Sequence, residues 1–110
     1  WTRDRKRGER LPLSFVVKAH TQDTARAVGL LDRGILKPGY KADLNVIDYQ
    51  GLSLFRPEVA FDLPAGGRRL VQRAKGYKAT IVSGEIIARD DEGTGAVPGK
   101  LLRGAQPAPA

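Results

Sequence analysis

The sequence predicts an α+β fold: one or two N-terminal helices followed by a small, mainly antiparallel β domain. Three observations predict it. Leu13, Val16, Val17 and His20 fall at i, i+3, i+4 and i+7, the spacing of one helix face. Ala42 to Asp48 alternates, with Ala42, Leu44 and Val46 on one face and Asp43 and Asn45 on the other, as in a half-buried strand. Tyr77 to Val82 and Glu85 to Arg89 flank Ser83-Gly84, a two-residue connection of the kind that joins antiparallel strands.

Taken in order, residues 1–10 are polar and charged and read as loop. Leu11 to His20 reads as a first helix, with Pro12 suited to its first turn. Thr21 reads as the N-cap of a second helix, with Asp23 near the positive end of its dipole. That helix runs to about Val28, and Gly29 supplies the left-handed residue that ends it. Asp32-Arg33-Gly34 is a turn. Lys37-Pro38-Gly39-Tyr40 fits a type II turn, in which glycine takes the positive φ. Ile47 breaks the alternation of the strand that follows and suits a strand covered on both sides near its end.

Gln50 to Pro64 reads as irregular, because Pro57 and Pro64 keep it from being a central strand. Ala65-Gly66-Gly67 is a flexible turn, and Leu70 to Ala74 a strand. After the hairpin, Asp90-Asp91-Glu92-Gly93 is a charged turn. Gly39-Tyr40-Lys41-Ala42 is echoed by Gly76-Tyr77-Lys78-Ala79, one local solution for entering a strand used twice.

The length of 110 residues allows one small domain. Such a chain buries roughly 60–65% of its unfolded surface, a marginal core. There is no cysteine, hence no disulfide framework and no thiolate metal site. No apolar run is long enough to span a membrane, and no signal-peptide pattern is visible. The chain contains no methionine, so it is expected to be a processed or truncated piece, located in the cytoplasm.

The net charge of +7 invites a nucleic-acid reading, but its distribution argues against one. The dense basic stretches are Trp1–Arg10 and Gly66–Lys78, and between them Tyr40–Leu63 is net acidic. No aromatic residue interleaves with the basic runs as a base-stacking platform would.

Catalytic chemistry is hard to find. His20 is the only histidine, and one imidazole without further ligands makes no zinc site. Ser14, Ser53 and Ser83 lack a nucleophile-elbow setting. Asp90-Asp91-Glu92 lacks the ligand spacing of a calcium loop. Ala65-Gly66-Gly67-Arg68-Arg69 is the best local candidate for holding an anion, through glycine-turn amides and the guanidiniums of Arg68 and Arg69.

One long pattern remains. Thr21…Thr24-Ala25…Gly29-Leu30-x-Asp32-Arg33-Gly34-x-Leu36-x-Pro38-Gly39-x-x-Ala42-Asp43-Leu44-x-Val46-x-Asp48 resembles the end of a metal-dependent amidohydrolase chain. Asp62-Leu63-Pro64-Ala65-Gly66-Gly67-Arg68-Arg69-Leu70, Gly76-Tyr77…Thr80-Ile81-Val82-x-Gly84 and Thr94-Gly95-x-x-Pro98-Gly99-Lys100-Leu101-Leu102-Arg103-Gly104 resemble the branch containing N-acyl-D-amino-acid deacylases. The resemblance implies that residues 1–34 are the end of a TIM-like barrel and residues 35–104 half of a composite β-sandwich, with 105–110 a disordered tail. It implies a parent enzyme in which a metal, usually zinc, activates water to attack an amide carbonyl of an N-acyl amino acid. No catalytic or metal-ligating residue carries over: His20 matches none of the family's ligand motifs, and Asp4 follows the last barrel strand rather than occupying the ligand aspartate's position. The segment's own part is then to close the barrel and form the sandwich, with no cofactor of its own and the remainder of the amidohydrolase chain as its partner. Trp1–Arg10 falls near the barrel mouth, where Arg3 or Arg5 can touch an acidic substrate. The alternative is a small basic β-rich module that binds nucleic acid or forms a homo-oligomer through uncovered sheet edges and apolar faces.

Overall fold

The computed structural model describes residues 1–110. Both α-helical segments precede the strands, and all strand pairs are antiparallel, the α+β arrangement expected from the sequence. The chain forms two compact units, one of Trp1–Asp43 with Lys100–Ala110 and the other of Leu44–Gly99.

In the first unit the two expected helices are one. Leu13–Lys18 (α1), a π-helical turn over Ala19–Asp23 and Thr24–Ala27 (α2) follow without a break. The backbone stays right-handed helical at both joints, with φ −58° and ψ −45° at Lys18 and φ −68° and ψ −41° at Thr24. Thr21 is not an N-cap. Its hydroxyl turns back and donates to the Val17 carbonyl at 2.8 Å, and the Thr24 hydroxyl donates to the Thr21 carbonyl at 3.0 Å. Threonines bonded this way serve the turn behind them and accompany a local change of helix winding. Asp23 ion-pairs with Lys18 at 2.6 Å instead of opening a new helix.

The helix ends as the sequence requires. Gly29 has φ +75°. Its N–H donates to the Arg26 carbonyl at 3.0 Å, and the Leu30 N–H donates to the Ala25 carbonyl at 2.9 Å. Together they form a complete Schellman stop, which satisfies carbonyls the helix would otherwise leave open. Ala25, under this stop, is the chain's one buried residue.

Gly34 explains the second glycine of the motif. Its φ is +87°, and a Cβ there would lie 2.9 Å from both the Gln22 Cα and the Thr21 carbonyl oxygen. The turn thus rests on the helix at its π-helical stretch, which only a residue without a side chain permits. Pro38-Gly39 is the expected tight turn, with the Tyr40 N–H donating to the Lys37 carbonyl at 3.1 Å. The segment 105–110 was expected to be disordered. It carries a parallel bridge between Leu30 and Gln106, made by the Leu31 N–H to the Gln106 carbonyl and the Gln106 N–H to the Gly29 carbonyl, each at 2.9 Å. The left-handed Gly29 turns its carbonyl outward, which leaves it open to a returning strand.

The second unit contains a four-stranded sheet and two ribbons. Leu44–Ile47 (β1), Tyr77–Val82 (β6), Glu85–Arg89 (β7) and Glu92–Gly93 (β8) form the sheet in the order β1-β6-β7-β8. Ser53–Leu54 (β2) pairs with Ala74–Lys75 (β5), and Glu58–Leu63 (β3) with Gly67–Val71 (β4). Asn45 faces Thr80 in the register, and the Thr80 hydroxyl donates to the Asn45 side-chain oxygen at 3.0 Å. Ile47 breaks the alternation because the register shifts between Val46 and Ile47. A bulge of this kind turns one residue out of phase, and Ile47 is 40% exposed rather than covered on both sides.

The reading of Gln50 to Pro64 as irregular is corrected by β3. Its six residues alternate Val59, Phe61 and Leu63 with Glu58, Ala60 and Asp62, and lie between Pro57 and Pro64. A two-stranded ribbon has only edge strands, so a proline at each end removes no ladder bond. The expected strand Leu70–Ala74 is divided between β4 and β5. Ser83 and Gly84 have φ +53° and +84°, the two left-handed residues of a type I′ hairpin. Asp90 and Asp91, with φ +46° and +69°, make a second such turn between β7 and β8.

Candidate functional site

Among the four arginines singled out from the sequence, Arg3 and Arg5 lie in the first unit and Arg68 and Arg69 in the second. Arg69 is occupied. Its Nε and Nη2 donate to the two carboxylate oxygens of Asp62 at 2.8 and 2.6 Å. This fork holds the Asp62 carboxyl below its ordinary pKa and raises that of Arg69. The Ala65-Gly66 bend is a tight loop with φ +57° and +71° rather than an open cradle, and the Gly67 N–H is spent on the Pro64 carbonyl. Arg68 is exposed on β4. Further along the same basic stretch, Arg73 lies 3.8 Å from Glu58 and Lys78 3.4 Å from Asp90.

The loop before the helix is organised differently. The Leu11 N–H donates to the Trp1 carbonyl at 3.0 Å and closes it. Arg3 forks onto Asp4, with Nε and Nη2 donating at 2.8 and 2.7 Å, and this lowers the pKa of Asp4. The Arg5 guanidinium carbon sits 4.4 Å from the centre of the Trp1 ring, within cation–π range. A shallow open depression is lined by Trp1, Asp4, Arg5, Lys6, Arg7 and Gly8.

The joint between helix and first strand carries a third forked arginine, Arg33, which by sequence reads only as part of a turn. The Arg33 Nε and Nη2 donate to the two oxygens of Asp32 at 2.8 and 3.0 Å, and its Nη1 donates to Asp43 at 3.4 Å. The Asp32 carbonyl in turn accepts the Lys41 N–H at 2.8 Å. Loop 32–43 is thereby closed twice, once by backbone and once by charge. The fork lowers the pKa of Asp32 and raises that of Arg33.

No part of this arrangement fits a metal centre. His20 is exposed, and no group of three histidine, cysteine, aspartate or glutamate side chains gathers anywhere in the chain. Asp91, the best placed acid of the Asp90-Asp91-Glu92 turn, is engaged elsewhere. Its carboxylate accepts the Gly76 N–H at 3.0 Å and the Tyr77 N–H at 2.8 Å, pinning the turn to the start of β6. No helix is long and apolar enough to cross a membrane.

The model of the amidohydrolase family matches residues 1–88. The chain is 38% identical over 80 residues to a 5-methylthioadenosine/S-adenosylhomocysteine deaminase of Desulfitobacterium hafniense, covering 73% of this chain and 18% of that protein. It is 38% identical over 82 residues to a 5′-deoxyadenosine deaminase of Methanosarcina barkeri, covering 73% of this chain and 17% of that protein. An adenine deaminase of Sinorhizobium fredii is 42% identical over 55 residues, or 50% of this chain and 9% of the relative. The chain therefore spans less than a fifth of the length of these curated relatives. No solved structure matches.

Proposed function

The chain belongs to the amidohydrolase family, and on that premise we propose that it is the non-catalytic C-terminal part of a metal-dependent amidohydrolase that hydrolyses a C–N bond. The observation that carries the reading is the joint itself. A helix with a complete Schellman stop, a loop locked by Asp32, Arg33 and Asp43, and a strand entering an antiparallel sheet follow one another within residues 13–47. These residues are spent on holding a chain path, and no ligand cluster accompanies them. Burial agrees. With Ala25 the one buried residue, Leu13, Phe15 and Val17 on the helix and Val59, Phe61 and Leu70 on the β3–β4 ribbon stay exposed. Apolar surface of this extent calls for a larger body to cover it. In this reading residues 1–34 close a TIM-like barrel, residues 35–104 supply half of a β-sandwich, and zinc is held by other residues of the parent.

The motif resemblance supports one substrate class. Asp62–Leu70, Gly76–Gly84 and Thr94–Gly104 are similar to the N-acyl-D-amino-acid deacylase branch, which favours an N-acyl amino acid whose amide is cleaved. A second reading is favoured by the relatives, which are named as deaminases of adenine-containing compounds. Its reaction also breaks a C–N bond with water, releasing as ammonia an amino group carried on the ring.

The deciding experiment is an assay of the complete, metal-replete parent chain on N-acetyl-D-amino acids and on 5′-deoxyadenosine. Release of free amino acid supports the first reading. Ammonia from the nucleoside alone replaces it with the second, and neither product removes both. Stoichiometric metal bound by the 110 residues on their own would overturn the non-catalytic role.

A further inference from the structure

We propose that the loop from Trp1 to Leu11 is a binding site for a small oxyanion, a carboxylate or a phosphate, with Arg5 as its anchor. The reason lies in how this chain treats its arginines. Arg3, Arg33 and Arg69 each hold a carboxylate in a two-point fork. Arg5 is half-buried like Arg3 and Arg33, yet it takes part in no ion pair. It is held by other means. Trp1 covers one side of the guanidinium at 4.4 Å. On another, Gly8 gives way: a Cβ there would come within 3.1 Å of the Arg5 Nη2.

Its Nε is buried and has no hydrogen-bond partner. A buried donor left open is costly, and a ligand meets this guanidinium at its terminal nitrogens, since Nε itself is closed off. The guanidinium is thus pre-shaped, and a planar fork is the group that matches a carboxylate or phosphate edge. Lys6 and Arg7 line the same depression. Asp4, its one acid, is already neutralised by Arg3, so the local charge favours an anion. The loop is also fixed in place, since the Leu11 N–H holds the Trp1 carbonyl at 3.0 Å and the Arg10 Nε donates to the Arg5 carbonyl at 3.4 Å.

The assignment rests on the loop alone and not on which bond the parent enzyme cleaves, and its test reads no turnover. Phenylglyoxal modifies accessible guanidiniums, and peptide mass spectrometry gives the rate at each one. The complete protein is labelled in chloride, in inorganic phosphate and in acetate at constant ionic strength. With phosphate at about twice its Kd, Arg5 should react about threefold more slowly, because only the unoccupied fraction remains open, while the exposed Arg68 keeps its rate. Protection by acetate as well identifies a site for carboxylates and phosphates alike; protection by phosphate alone identifies a phosphate site. Equal rates at Arg5 in all three salts, or equal slowing of Arg5 and Arg68, overturn the proposal. Trp1→Leu removes the ring and should abolish the protection; a variant protected as fully as the wild type would overturn the anchoring role of the stacked guanidinium.

Discussion

The guanidinium of Arg33 forks onto the carboxylate of its own neighbour, Asp32, through two bonds of 2.8 and 3.0 Å. Adjacent residues on an extended chain point apart, so a fork between them needs a bent backbone. The bond of 2.8 Å from the Lys41 N–H to the Asp32 carbonyl holds the chain in a turn here, and the left-handed Gly34 continues it. From there Arg33 reaches Asp43, the last residue before β1.

Replacing Arg33 with lysine should therefore be costly despite the retained charge. An ammonium cannot bridge two oxygens of Asp32 and also reach Asp43. With side-chain exposures of 16% and 25% for Arg33 and Asp32, the loss should be about 1–2 kcal/mol. Urea denaturation measures it, and a midpoint equal to the wild type's would show the fork to be incidental.

The same pair sets an acid limb. Asp32 is held below its ordinary pKa, first by its hydrogen bond to Arg33. A carboxylate with a depressed folded value adds stability that is complete above the unfolded value of about 3.9 and is lost as pH falls through the folded value. Stability should thus hold from neutrality down to about pH 4 and decline below it. Asp4 and Asp62 shift the same way beside Arg3 and Arg69, but they are exposed and contribute less. Arg33→Gln should flatten the decline, and a variant that loses stability as steeply as the wild type on acidification would count against the assignment.

Gly34 and Gly84 offer a matched comparison. Both have positive φ, at +87° and +84°, but a Cβ at Gly34 meets the helix backbone at 2.9 Å while a Cβ at Gly84 meets nothing. Gly84→Ala should cost about 1 kcal/mol, for the left-handed conformation alone. Gly34→Ala adds a backbone collision and should cost about 2–4 kcal/mol, in the range of strained core replacements. Equal costs in thermal melts would mean that the turn does not press on the helix.

Asp91→Asn tests the pin between the β7–β8 turn and β6. The amide side chain can accept through one oxygen where the carboxylate accepts through two, from Gly76 and Tyr77. The expected loss is about 1 kcal/mol. Hydrogen exchange locates it, since the Gly76 and Tyr77 amides should exchange faster while those of β7 keep their protection. Unchanged exchange at both amides would remove the pin.

Wherever one residue type dictates its own backbone, the sequence was legible. Gly29 ends the helix, Pro38-Gly39 turns, and Ser83-Gly84 joins β6 to β7, each as read. The errors fall where two local signals compete. Thr21 carries an oxygen that caps a helix start or bonds back into a helix interior with equal ease, and only the unbroken helix decides. Pro57 and Pro64 masked the alternation of Val59, Phe61 and Leu63, because prolines forbid a central strand and permit an edge one. Among the candidate arginines, charge and spacing identified Arg3, Arg5, Arg68 and Arg69 but not which were free, since Asp62 lies seven residues from Arg69 and reaches it only across a hairpin.

Turns, helix stop, strand periodicity and the family pattern were determined by the sequence itself, because they depend on φ preferences and side-chain period within a few residues. The partners of charged groups were decided by tertiary structure. Whether Arg33 closes the joint onto Asp43, whether Asp91 is a pin rather than a ligand, and whether Gln106 returns to Leu30 depend on which distant segments are brought within hydrogen-bond reach, and no local preference encodes that distance.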